Sequence, residues 1–179
     1  MTYTENALNV LTIRSYPKKG PAWIYNNIKG NESVAELCKL LESHEYEFSR
    51  KRESMQAEME KIEGYVDGFV AMGDERFPKI RGNVKPVDRP FALFYKGDIS
   101  LLGRDNLNIA VIGVLNPDNN IEVSEKIVTE EILKHNATIV SGLAMGCDSI
   151  AHRTALNNNK KTIAILPSTL KRILPKENI

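Results

Sequence analysis

Thr138-Ile-Val-Ser-Gly-Leu-Ala-Met-Gly-Cys-Asp-Ser-Ile-Ala-His152 is the stretch that decides how this chain folds. It begins with a β-branched run, passes through a small-residue loop that holds Gly142 and Gly146, and becomes helix-forming sequence at about Asp148. The pattern predicts a strand, a loop and a helix. Such a junction gathers backbone N–H groups and a helix N-terminus at one place, which is typical of an anion site without charged side chains. Two glycines alone are equally consistent with a tight structural turn.

The flanking sequence extends this unit on both sides. The nearly continuous apolar run 108–114 predicts a parallel strand that is buried on both faces. Apolar residues at helical spacing predict a helix over about 121–135, and 161–166 reads as another strand. Strands and helices that alternate in this way predict an α/β fold with a βαβαβ order, right-handed crossovers and a parallel sheet.

The first third of the chain is different and predicts a small helical module over residues 1–62. Apolar spacing and breakers indicate helices over 5–14, from Pro21 to Gly30, from about residue 31 or 33 to 41, and over 43–61. Short strands are then predicted near 68–72 and 91–95. We therefore expect two domains, 1–62 and 63–179.

Several motifs, in order along the chain, resemble those of the DNA-processing protein A (Smf) family. They are Phe77-Pro78, Arg89-Pro90-Phe-Ala-Leu-Phe-Tyr-Lys-Gly97, Ser141-Gly-Leu-Ala-Met-Gly-Cys-Asp148 with Ala151-His152 and Ala155-Leu156, and Thr162-Ile-Ala-Ile-Leu166. Together they cover about residues 63 to 179. The resemblance implies a Rossmann-like domain that binds single-stranded DNA and helps to load the recombinase RecA in natural transformation. The family is not known as an enzyme family, and its fold continues beyond the third parallel strand, so we expect an incomplete domain here.

In open α/β sheets, ligands bind beyond the carboxyl ends of the strands, where the loops 113–118, 141–148 and 167–169 are expected to meet. The predicted nucleic-acid or phosphate-binding residues are Gly113, Asn116, Ser141, Gly142, Leu143, Ala144, Gly146, Lys160 and Lys161. Asp148 and His152, four residues apart on one helix face, are predicted to hold the loop and helix together and could pair with each other. The sequence contains no evident nucleophile and base pair, carboxylate pair or metal cluster. We therefore predict no catalytic residue, metal or cofactor.

Positive charge near this site is a separate question. The family continues its first strand as Gly-Ser-Arg, with the arginine on DNA phosphate, whereas this chain has Gly113-Val114-Leu115. A charge-assisted hydrogen bond contributes about 1.5–3 kcal/mol, so its loss should weaken phosphate binding unless Lys160, Lys161, Lys171 or Arg172 compensates from a neighbouring loop. Basic residues also outnumber acidic ones between residues 79 and 104, which indicates either a solvated loop region or a rim of positive charge. They are Lys79, Arg81, Lys85, Arg89, Lys96 and Arg104.

Composition limits the remaining choices. With 179 residues and a net charge of +1, the chain has no uniformly basic coat, so any nucleic acid must bind a local patch. No signal peptide or apolar run of about 20 residues is visible, and the two cysteines have no metal-type spacing. A cytoplasmic protein without a membrane segment is expected.

Three functions remain open at this stage. The first is non-catalytic binding of single-stranded DNA, with a RecA-type recombinase and a homodimer as partners, the latter through open strand edges. The second is a Rossmann-like protein that binds nucleotides or processes nucleoside phosphates. The third is a scaffold for a partner protein, in which the glycine loop is purely structural.

Overall fold

A computed structural model of the chain describes residues 1–80 and 82–178. The chain separates into two compact units, Met1–Ile99 and Ser100–Ile179. The domain boundary predicted between residues 62 and 63 falls inside the first unit. Each unit has its own core and is described separately below.

The described part of the first unit contains four α-helices, close to those that the sequence predicts, and a short 3-10 helix at Pro86–Asp88. The α-helices are α1 (Glu5–Arg14), α2 (Pro21–Asn27), α3 (Val34–Leu41) and α4 (Glu45–Glu60). Local chemistry sets their starts: the Thr4 side chain accepts a hydrogen bond from the Ala7 amide, and Ser33 forms a capping box with Glu36. Among the described residues, no helix has the length and apolar character needed to cross a lipid bilayer.

A two-stranded antiparallel sheet completes the first unit. Strand β1 (Gly68–Ala71) pairs with β2 (Ala92–Tyr95), with Phe69 opposite Phe94. Phe69 and Ala71 are fully buried in the same apolar cluster as residues of α1, α3 and α4, such as Phe48. Because the two strands share the core of the helices, the compact unit extends well beyond residue 62.

The second unit confirms the predicted α/β architecture. Its elements are β3 (Asn108–Ala110), α5 (Asn119–Leu133), β4 (Thr138–Ser141), α6 (Cys147–Asn157) and β5 (Thr162–Ala164). The strands form a parallel sheet in the order β3-β4-β5, so the chain is βαβαβ as expected. The core lies between sheet and helices and contains Val111, Leu133, Ile139, Ala151 and Ala155.

The expectation that the first parallel strand is buried on both faces is wrong. Helices α5 and α6 pack against each other and therefore cover the same face of the sheet. Ala110, the last residue of β3, is exposed, and just beyond the ends of β3 and β5 Ile112 is 78% exposed and Ile165 is 52% exposed. Strand β3 also ends at Ala110, sooner than the apolar run 108–114 predicts. Among the described residues its one neighbouring strand is β4, and the last backbone hydrogen bond between the two is from the Val111 amide to the Val140 carbonyl.

Candidate nucleic-acid interface

The glycine loop, residues 142–146, joins the carboxyl end of β4 to helix α6. The Asp148 side chain, in the first turn of α6, holds this loop by hydrogen bonds. One carboxylate oxygen of Asp148 accepts hydrogen bonds from the Gly142 amide at 3.1 Å and the Ala144 amide at 3.2 Å. Asp148 is only 8% exposed, so this is an internal contact. Asp148 is predicted from the sequence to hold the loop and helix together, and the Gly142 and Ala144 amides are its partners in doing so. As the loop stands, the Gly142 and Ala144 amides are occupied and cannot serve a phosphate.

Gly146 occupies a position that other residues would not tolerate. Its backbone has φ 75° and ψ −130°, and it is the N-cap of α6. A Cβ atom there would lie 2.3 Å from the carbonyl oxygen of Val114 and 2.4 Å from that of Leu115. The next amide, that of Cys147, donates to the Val114 carbonyl at 3.1 Å. The glycine therefore lets the loops after β3 and β4 touch each other through their backbones.

Gly113 and Ser141 also serve close packing. A Cβ atom on Gly113 would lie 2.6 Å from both the Cβ and the Sγ of the buried Cys147. The Ser141 hydroxyl donates to the Val111 carbonyl at 2.6 Å, which ties β4 to the end of β3. Neither residue presents a free side-chain donor to solvent. Their contacts keep the neighbouring loops in place.

A second hold on the glycine loop comes from Asn178, which the sequence gave no reason to single out. Its side-chain amide donates to the carbonyl of Leu143 at 3.0 Å and to that of Ala144 at 3.1 Å. Its side-chain oxygen accepts a hydrogen bond from Arg153 of α6 at 3.1 Å. Asp148 thus fixes amides of the loop, and Asn178 fixes its carbonyls.

A cleft of about 690 Å³ lies over the glycine loop, at the carboxyl ends of the strands. Of the predicted residues it contains Asn116, Gly142 and Ala144. Three of its apolar side chains are substantially exposed: Leu115 at 60%, Met145 at 45% and Leu174 at 44%. Pro167, Pro175, Lys176 and Glu177 complete the lining. The cleft therefore combines apolar contact surface with one cation and one carboxylate.

Backbone donors remain available beside this cleft. The amides of Leu143, Met145 and Gly146 donate to no other group within residues 1–80 and 82–178. They lie in the loop just before the N-terminus of α6, whose partial positive charge favours an anion. The loop can still bind an anion, but through amides other than those of Gly142 and Ala144.

The structure does not bring Lys160 and Lys161 to this site, where the sequence analysis placed them. Both residues precede β5. In a parallel sheet all strands start at one end of the sheet, and their carboxyl ends lie at the opposite end. Helix α6 separates them from the glycine loop, and its 11 residues span about 16 Å. Lys176, which the sequence analysis did not name, is the basic residue that lines the cleft.

His152 is buried in the junction but does not pair with Asp148. Its Nδ1 lies 2.6 Å from the Thr162 hydroxyl, and that hydroxyl donates to the Ile139 carbonyl, so Nδ1 carries the proton. Burial lowers the pKa of His152, against a smaller opposing effect of the Asp148 charge. A neutral His152 therefore ties α6 to β5, in keeping with the structural role expected for it.

Glu125 of α5 adds a second carboxyl group near Asp148. Burial, and then the charge of Asp148, raise the pKa of Glu125. Its Oε1 atom is buried and has no hydrogen-bond partner among the described residues. The Asp148 carboxylate has two amide donors, whereas Glu125 has none at this oxygen. The loop amides are therefore held by Asp148 and not by Glu125.

Comparison with known proteins places this site in a family. The sequence profile of the family described as DNA recombination-mediator protein A matches residues 68–179, which is more than half of the chain. The chain belongs to this family. The match includes all of the parallel sheet, the glycine loop and the residues of the cleft, and it confirms the resemblance found from the motifs.

Individual proteins with similar sequences support the assignment of the chain to this DNA recombination-mediator family. The chain is 35% identical over 94 residues to Protein Smf of Borreliella burgdorferi, covering 51% of this chain and 28% of that protein. It is 40% identical over 92 residues to DNA processing protein DprA of Streptococcus pneumoniae, covering 51% and 31% respectively. The matched part of the chain thus spans less than a third of the length of these relatives.

A solved structure extends the likeness to the whole chain. The X-ray structure of DNA processing protein A from Streptococcus pneumoniae has a TM-score of 0.67 and 25% sequence identity, and covers 99% of this chain and 62% of that one. This similarity supports the Rossmann-like fold of the second unit. The structural match also includes the four α-helices and two strands of the first unit.

Proposed function

We propose that the cleft over the glycine loop binds single-stranded DNA, without catalysing a reaction on it. The observation that carries this proposal is the position of the cleft. It lies inside the segment that matches the recombination-mediator family and at the carboxyl ends of parallel strands, where α/β sheets bind their ligands. The described lining of the cleft contains no serine, cysteine or histidine, and its proposed role is to hold a strand.

The lining fits a single strand because it offers two kinds of contact. Met145, Leu115 and Leu174 present apolar surface to bases, which pack against apolar and aromatic side chains without regard to sequence. Lys176 and the free loop amides present donors to phosphate. With Leu115 in place of the family's arginine, few phosphates are neutralised, and a shallow salt dependence follows.

Other parts of the proposal rest on family membership. We propose that the bound strand passes to a RecA-type recombinase in DNA uptake and recombination in the cytoplasm, since the family is described as a recombination mediator. The outer edges of β3 and β5 have no strand partner among the described residues. Such edges can pair with a second copy of the chain, and we propose them as the contact of a homodimer.

The size of the cleft also favours a second candidate. Small-ligand pockets have volumes of roughly 300–1,000 Å³, and the cleft falls within this range. A mononucleotide or another small nucleoside phosphate would fit such a space. This ligand would use the same amides and Lys176 and would need no further phosphate contact.

Titration of a fluorescein-labelled oligothymidine at several salt concentrations tests the proposal. Met145→Glu places a negative charge in the cleft, and we expect it to weaken binding about tenfold, equivalent to about 1.4 kcal/mol. Leu156→Glu makes the same charge change at an exposed position of α6 that does not line the cleft, and should leave the affinity unchanged. Competition by a mononucleotide at a concentration similar to that of oligonucleotide would favour the second candidate. Equal effects of the two substitutions would contradict binding in the cleft.

A further inference from the structure

Residues 76–96 of the first unit contain many more basic than acidic side chains. The described basic residues of this segment are Arg76, Lys79, Lys85, Arg89 and Lys96, and its one carboxylate is Asp88. Arg81 belongs to the same segment but lies outside the described residues. None of the ion pairs among the described residues involves a residue of this segment. A chain with a net charge of only +1 therefore carries one strongly basic stretch.

Arg89 is held in a fixed position within this stretch. Its Nε donates to the Val84 carbonyl at 2.7 Å, and its guanidinium carbon lies 5.5 Å from the centre of the Tyr25 ring. The Tyr25 hydroxyl in turn donates to the Pro90 carbonyl at 2.7 Å. The terminal nitrogens of Arg89 donate to no group within the described part of the chain. One nitrogen fixes the side chain, and the others remain available for a ligand.

A second arginine in the segment has a similar arrangement. The guanidinium carbon of Arg76 lies 5.8 Å from the centre of the Tyr95 ring on β2. Each pair offers a flat cationic group supported by an aromatic ring. Unpaired nucleic-acid bases stack on such guanidinium and aromatic planes, and the phosphates between the bases attract the surrounding lysines.

We propose that residues 76–80 and 82–96 together with Tyr25, here called the Arg–Tyr surface, bind single-stranded DNA as a second contact region. The surface belongs to the first unit, and the cleft belongs to the second, so this inference does not depend on whether the cleft binds DNA. A duplex would meet the same positive charge but would keep its bases stacked inside the helix. The two supported guanidinium planes therefore favour a single strand.

The test is a charge reversal at the two exposed lysines of the surface, Lys79→Glu with Lys85→Glu, in the full chain. Both lysines lack ion pairs among the described residues, so folding should be unaffected. The control is Lys39→Glu with Arg50→Glu, which makes the same change in net charge on α3 and α4 of the same unit. Binding of labelled oligothymidine is measured from low to high salt for each protein, together with the thermal melting curve.

We expect the surface variant to bind about tenfold more weakly at low salt, with a slope of log affinity against log salt shallower by about 1.4, or about 0.7 for each lost phosphate contact. The control variant should keep the wild-type slope. Equal losses in the two variants would show an effect of net charge alone and would overturn the proposal. A duplex that binds as tightly as the single strand, with the same loss in the surface variant, would overturn the assignment to single strands. Loss in Met145→Glu with no loss in the surface variant would leave the cleft as the DNA site and refute the second one.

Discussion

Replacement of Gly146 by alanine is expected to unfold much of the second unit at moderate temperature. The new Cβ would lie within 2.4 Å of two backbone carbonyl oxygens, those of Val114 and Leu115, which cannot move without displacing the loop after β3. The positive φ of 75° adds strain of about 1–3 kcal/mol for a residue with a side chain. Clash and strain together should cost more than about 4 kcal/mol, so we expect the melting temperature to fall by more than about 15 °C.

Gly82→Ala is the matched control for this substitution. Gly82 has nearly the same positive φ, 78°, but an added Cβ would meet no atom within 4 Å. Only backbone strain should be felt there, about 1–2 kcal/mol. Thermal melts followed by circular dichroism would compare the two variants directly. Equal melting temperatures would show that the close approach of the two loops at Gly146 does not exist in solution.

Asp148→Ala should be the second most damaging change, since it removes the group that holds the glycine loop. Both the Gly142 and the Ala144 amides would lose their acceptor, and each hydrogen bond to a charged group contributes about 1.5–3 kcal/mol. Removal of the Asp148 charge also relieves its repulsion with Glu125, which offsets a small part of the lost stability. We therefore expect the free energy of unfolding to fall by about 3 kcal/mol, measured by urea denaturation.

Asp148→Asn separates the effect of losing the two hydrogen bonds from the effect of losing the negative charge. Both amides donate to the same carboxylate oxygen, so the side-chain carbonyl of an asparagine could accept both bonds. The loss should then be about 2 kcal/mol, since each of the two bonds changes from a charged to a neutral acceptor at a cost of about 1 kcal/mol. A loss in Asp148→Ala no larger than that in Asp148→Asn would contradict the account of how the loop is held.

The elements of the second unit could be predicted because their signals are local. The alternation of apolar strands with amphipathic helices was enough to give the βαβαβ order, and the stretch 138–152 gave the strand, loop and helix at its centre. The exposure of Ile112 was not predicted. An apolar run indicates that a strand prefers burial, but it does not tell how many faces of the sheet are covered.

The site residues were harder to predict because their roles depend on distant contacts. Lys160 and Lys161 are close to the glycine loop in sequence, but the parallel topology places them at the N-terminal end of the strands, opposite the loop. The direction of the parallel strands is by itself enough to place residues before β5 at the end of the sheet away from the glycine loop. Asn178 donates to the carbonyls of Leu143 and Ala144, which are 35 and 34 residues away in sequence, and no local sequence pattern predicts such a contact.

The central claim, that a single strand lies in the cleft over the glycine loop, is tested most directly by photo-cross-linking. Oligonucleotides that carry 5-bromodeoxyuridine would be irradiated with the protein, and the cross-linked peptides identified by mass spectrometry. The account predicts cross-links in residues 142–146, where Met145 is exposed in the cleft, or in 174–178, and their loss on addition of unlabelled oligothymidine. Cross-links found only elsewhere in the chain, including only in residues 76–96, would contradict it.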